Sequence, residues 1–117
     1  TLRDVQIEMK QKGHPWEFAK SFDQSAPLGF MRAYDNSFDL FKMPFTCFVN
    51  GEKRQEGNTR DMIFTIPRII SFLSTVWKLM PGDLIYTGTP SGVGVLSSRD
   101  EIVLSSPLIG EFVWTIS

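Results

Sequence analysis

The chain has 117 residues, 42% of them hydrophobic and 21% charged, and a net charge of −1. That is room for one domain with a modest core; the balance excludes a disordered or membrane-embedded chain and any overall pull toward nucleic acid or anionic lipid. Its one cysteine, Cys47, excludes an intrachain disulfide framework and a cysteine-based zinc site.

Thr1 to Gln11 reads as a helix. Thr1 is placed to cap the first turn, Asp4 sits where the dipole favours a carboxylate, Leu2, Val5 and Met9 share a face, and Gly13 supplies the stop. The chain opens on Thr1, not methionine, with no signal peptide before this helix, so the expectation is a trimmed chain or a piece of something longer. His14-Pro15-Trp16 breaks regularity, and Glu17 to Asp39 reads as loop with short strands. Phe45 to Gln55 is the clearest hairpin, its arms flanking Asn50-Gly51, a dipeptide that tolerates positive φ twice.

A second helix is expected from Thr65-Ile66-Pro67 to about Trp77, with Thr65 as cap and proline in the first turn. Ile66, Ile69, Ile70, Leu73, Val76 and Trp77 form a broad apolar stripe, expected to pack closely on a sheet with Ile66, Ile70, Leu73 and Trp77 buried. The most apolar stretch, Met62 to Met80, is interrupted by Pro67, Arg68 and Lys78 and makes a poor membrane span. Pro81-Gly82-Asp83 reads as a turn and Leu84 to Thr87 as a buried strand, followed by Gly88, Gly92 and Gly94. Glu101 to Leu104 and Glu111 to Ile116 read as two further strands. The layout is a single domain over residues 1–117, mainly β with flanking helices, an α+β arrangement.

The glycine-bearing loop either shapes a bend or holds a ligand by close backbone approach. It is not a P-loop, because Val95-Leu96 follow Gly94 where Lys and Ser or Thr are needed. Nor is it a dinucleotide fingerprint, because Ser97 stands in place of the third glycine. His14, the only histidine, reads as a loop residue and has no serine nearby to activate. Asp4 and Glu8 share a helical face and read as a solvated pair before they read as metal ligands. Lys20, in Phe18-Ala19-Lys20-Ser21-Phe22, either snorkels to water or stands in a pocket as a fixed charge for an anion. Arg3 and Gln6, one turn apart, could present a guanidinium fork and an amide together. From these residues alone the chain is a β-rich domain with a candidate anion site.

Several collinear segments resemble the carboxy-terminal half of the fumarylacetoacetate hydrolase superfamily, in its acylpyruvase and oxaloacetate-handling branch. They are Thr1-Leu2-Arg3-Asp4-Val5-Gln6, Gly13-His14-Pro15-Trp16, Ala19-Lys20-Ser21-Phe22-Asp23, Val49-Asn50-Gly51-Glu52, Arg54-Gln55-Glu56-Gly57-Asn58-Thr59, Met62-Ile63-Phe64 and, most specifically, Gly82 to Gly94. The resemblance implies an incomplete β-roll with flanking helices, a homodimer, and Mg²⁺ or Mn²⁺. It also implies a small 2-oxo acid or dicarboxylate substrate, with no nucleic acid or membrane partner. The family's reactions are acylpyruvate C–C hydrolysis and oxaloacetate decarboxylation or tautomerisation, with a divalent cation stabilising the enolate. By resemblance Lys20 is a catalytic and substrate-binding residue, and Arg3, Gln6 and Thr89 bind substrate. The family's metal carboxylates and its water-activating His–Glu pair lie upstream of the matched segment, so no metal ligand is expected in this chain. Mitochondrial and cytosolic locations both fit. An alternative to the enzyme part is a non-catalytic fragment or diverged binding module that pairs through its sheet.

Overall fold

In the computed structural model, which describes residues 1–117, Thr1–Phe30 form one unit and Met31–Ser117 another. In the first unit, helix α1 spans Arg3–Gln11 with Leu2 at its N-cap and no side-chain cap bond. Thr1 therefore does not cap it; the Thr1 hydroxyl accepts from Lys20 Nζ at 3.0 Å instead. The C-terminal end is as expected: His14 N–H donates to Met9 O at 2.9 Å and Gly13 N–H to Lys10 O at 3.2 Å. Those two bonds satisfy carbonyls that the last helical turn leaves unpaired. A 3-10 turn, Glu17–Ala19, follows. It is tied back to the helix start by the Leu2 N–H to Ala19 O bond at 3.0 Å, and Ala19 is fully buried there. No strand forms between Glu17 and Asp39. The scattered aromatics of that stretch lack the alternation and the pairing partner a strand needs.

The second unit is built on a four-stranded antiparallel sheet of order β2-β1-β3-β4. Its strands are β1 Pro44–Val49, β2 Glu52–Asn58, β3 Glu101–Ser106 and β4 Gly110–Thr115. The Asn50-Gly51 hairpin is present, with φ of 52° and 79° at its two central residues. The Asn50 side chain also bridges to the start of β3: its amide donates to Asp100 Oδ1 and its oxygen accepts from Glu101 N–H, both at 2.9 Å. Register puts Cys47 opposite Leu104 and Leu104 opposite Phe112, and likewise Val49, Ile102 and Trp114, so these six share one face. Cys47 and Val49 are its buried centre. In β2, Cys47 faces Gln55 but Phe48 faces Lys53, so Arg54 is an extra residue that bulges the edge strand.

Helix α2, Ile66–Val76, begins at Thr65 with Pro67 in its first turn, although Thr65 makes no side-chain cap bond. It does not bury its stripe. None of its residues is buried; Ile70 and Trp77 are 43% and 60% exposed, and Ile66 and Leu73 only half-buried. The expected packing on a sheet is therefore corrected: the period of the stripe defines an apolar face, and no layer of this chain covers it.

The Met80–Asp83 turn forms as expected, closed by Asp83 N–H to Met80 O at 3.1 Å and Met80 N–H to Asp83 Oδ2 at 2.7 Å. Leu84 to Thr87 is neither strand nor buried; Leu84 and Tyr86 are exposed. Its β-branched and aromatic residues suit a pleated surface, but no sheet edge of this chain pairs with them. No helix is long and apolar enough to cross a membrane.

Candidate functional site

Three of the four expected site residues lie in the first unit. Arg3 opens α1 and Gln6 stands one turn on, which brings Arg3 Nη1 to Gln6 Oε1 at 2.9 Å. Gln6 is 5% exposed, so its amide is a fixed post that orients the guanidinium. Lys20 ends the 3-10 turn, and its bond to Thr1 places its ammonium at the start of the same helix. The chain's ion pairs are Lys12–Glu8, Lys53–Glu56 and Arg60–Asp61. Arg3 and Lys20 belong to none of them. Both are held by neutral oxygen acceptors, which direct a cation without neutralising it. A cation at the first position of a helix is also disfavoured by the dipole, a cost that a bound anion offsets. Lys20 borders an open cleft of about 230 Å³ with Pro15, Trp16 and Glu17.

Thr89 lies in the second unit, in the exposed loop that follows Gly88. The loop rests on β2 around the bulge. Gln55 Nε2 donates to Thr89 Oγ1 at 2.9 Å, to Pro90 O at 3.0 Å and to Ser91 O at 3.3 Å. Gly92 has φ +96° and backs onto the Arg54 carbonyl so closely that a side-chain carbon would collide with it. Of the two readings of this loop, the structural one is what requires Gly92: its positive φ bends the chain, and its backbone packs on the chain's own strand β2. Reasoning from sequence gave Gln55 no role; the available signal was an uncharged amide among Lys53, Arg54 and Glu56 on an edge strand.

The other residues weighed from sequence stay apart from these groups. Glu8 pairs with Lys12 at 2.6 Å, which holds its carboxyl below the usual range, as expected of a solvated face. His14 is exposed. A larger hollow of about 450 Å³, bordered by Phe45, Gly57, Asn58, Arg60 and Ser105, contains none of the expected residues. No three His, Cys, Asp or Glu side chains gather where they could hold a metal ion. A hard divalent cation needs several oxygen ligands in one place, so the residues present do not fit one.

Comparison with known proteins gives this arrangement a context. The family described as fumarylacetoacetate (FAA) hydrolase C-terminal matches residues 1–117. Oxaloacetate tautomerase YcgM of Escherichia coli is 48% identical over 106 residues, covering 90% of this chain and 48% of that protein. The mitochondrial oxaloacetate tautomerase FAHD1 of Homo sapiens is 50% identical over 102 residues, covering 87% and 46%. The crystal structure of fumarylpyruvate hydrolase from Pseudomonas aeruginosa in complex with Mn²⁺ and pyruvate superposes with a TM-score of 0.88 at 34% identity, covering 97% and 49%. The chain thus spans about half the length of the curated relatives it matches. On a match over its whole length and a shared fold, the chain belongs to the fumarylacetoacetate hydrolase family.

Proposed function

We propose that the chain is the carboxy-terminal part of the catalytic domain of a divalent-metal-dependent enzyme acting on short 2-oxo acids. In this reading it supplies the substrate-binding residues Arg3, Gln6, Lys20 and Thr89, with Lys20 also catalytic. The observation that carries the proposal is the pair of cations, Arg3 and Lys20, directed by Gln6 and Thr1 and unpaired with any carboxylate. Keto–enol tautomerisation of oxaloacetate is the best-supported reaction. Relatives at 48% and 50% identity carry that name, whereas the fumarylpyruvate hydrolase stands at 34%.

The chemistry asked of these residues is electrostatic. Arg3 receives a substrate carboxylate in its fork, with Gln6 fixing the plane of the guanidinium. Lys20 offsets the negative charge that grows on the 2-oxo oxygen as the adjacent carbon passes its proton to a base supplied by the remainder of the complete enzyme or by water. The Thr89 hydroxyl donates to a carboxylate oxygen. The complete enzyme is a homodimer that uses Mg²⁺ or Mn²⁺, held by residues other than these. The test is steady-state kinetics of the complete enzyme, following the absorbance of enol-oxaloacetate. Lys20→Ala should lower kcat/KM at least about tenfold, equivalent to roughly 1.4 kcal/mol of transition-state stabilisation. Thr89→Val should mainly raise KM. Wild-type kinetics for Lys20→Ala would overturn the assignment.

A further inference from the structure

We infer that Gln55 is a positioning residue: its side-chain amide clamps the Thr89–Ser91 segment to strand β2 and makes the Thr89 hydroxyl a donor. The inference rests on the proposed role of Thr89 in substrate binding. Thr89 is exposed, on a stretch with no regular secondary structure, and a hydroxyl on such a backbone would wander unless something fixed it.

The fixing group is the Gln55 amide nitrogen. It carries two hydrogens and meets three acceptors, Thr89 Oγ1, Pro90 O and Ser91 O, at 2.9, 3.0 and 3.3 Å. Pro90 O and Ser91 O are backbone carbonyls, which only accept, so the amide must turn its NH₂ toward the loop. Thr89 Oγ1 then accepts from Gln55, and its own hydrogen is left to donate outward. A carboxylate only accepts, so this polarity suits an anionic ligand and disfavours a donor in the same place.

The position of Gln55 follows from the strand. Arg54 is the extra residue of the bulge, and bulges re-aim the side chains beside them. The same bulge presents the Arg54 carbonyl to Gly92. The Pro90 ring also stands 3.2 Å from where a side-chain carbon on Gly57 would be. Three contacts, with the Gln55 amide, the Arg54 carbonyl and the Gly57 backbone, thus register residues 89–92 on β2, and only the Gln55 contact sets hydroxyl polarity.

The experiment uses Gln55→Ala, Gln55→Glu and Thr89→Val in the complete enzyme, with oxaloacetate as substrate. Both Gln55 variants should raise KM at least about fivefold with kcat changed less than about twofold, the split expected when substrate positioning is lost. The Gln55→Glu defect should shrink as pH falls, because a protonated glutamate regains one O–H donor that the carboxylate lacks. Gln55→Ala combined with Thr89→Val should be no worse than Thr89→Val alone, since the two act through one hydroxyl. Limited chymotrypsin digestion gives a readout independent of activity: cleavage after the exposed Tyr86 and Leu96, which flank the clamped segment, should be faster in Gln55→Ala, while β1 stays resistant. If Thr89→Val raises KM and Gln55→Ala does not, the inference fails while the role of Thr89 stands. If Thr89→Val leaves KM unchanged, the role of Thr89 fails, and unchanged cleavage after Tyr86 and Leu96 in Gln55→Ala would then overturn the clamp as well. Faster cleavage spread evenly over the sheet strands would mean that Gln55 only stabilises the fold. Should Gln55→Ala fail to fold, the near-isosteric Gln55→Glu carries both readouts.

Discussion

Asn50 joins two parts of the sheet that sequence places fifty residues apart, and its replacement separates conformational from hydrogen-bond contributions. It holds φ 52° in the hairpin turn, accepts from Glu101 N–H and donates to Asp100 Oδ1. Asn50→Gly keeps a residue at ease with positive φ and removes both side-chain bonds; loss of the Glu101 bond alone costs about 0.5–1.5 kcal/mol. Asn50→Ala adds the left-handed penalty of an ordinary L-residue, about 1–2 kcal/mol, for a total of about 1.5–3.5 kcal/mol. Equilibrium urea unfolding should therefore rank wild type above Asn50→Gly above Asn50→Ala. Asp100 adds a pH arm. Its carboxyl is held below the ordinary 3.8, chiefly by the Ser97 N–H and then by the Asn50 amide. With a depressed folded pKa, this contribution is complete above the ordinary aspartate range and lost as pH falls through the lower folded value. A double-mutant cycle of Asn50→Gly with Asp100→Ala should show favourable coupling at neutral pH that fades at acid pH. Equal stability of wild type and Asn50→Gly at neutral pH, or coupling that grows on acidification, would refute the reasoning.

Two further outcomes follow from burial. Leu73 is only half-buried on α2, so Leu73→Ala in this chain should cost about 1 kcal/mol, not the roughly 2–5 kcal/mol of a buried leucine; a loss above about 2 kcal/mol in urea unfolding would mean the face is covered. Cys47 is 8% exposed in the central strand β1, and burial pushes its thiol up, so alkylation at neutral pH, followed by mass spectrometry, should run at least about tenfold slower in the native than in the unfolded protein. Equal rates would contradict its place in the sheet.

Local chemistry was legible in the sequence, because it depends on few neighbours. Asn50-Gly51 permits a turn that most dipeptides resist, Gly13 ends a helix with its own backbone, and Pro67 suits a first helical turn. The same locality put Arg3 and Gln6 one turn apart, close enough to bond. Thr1 misled because a capping hydroxyl has competing donors, and the Lys20 ammonium took it. Leu84–Thr87 misled because strand propensity describes a surface and not a partner, and the stripe of α2 for the same reason defined an apolar face without the layer to cover it. The role of Gln55 lay beyond sequence reading altogether. It depends on a bulge that turns one side chain of an edge strand toward a loop more than thirty residues away, and only the tertiary arrangement brings one amide to three acceptors at once.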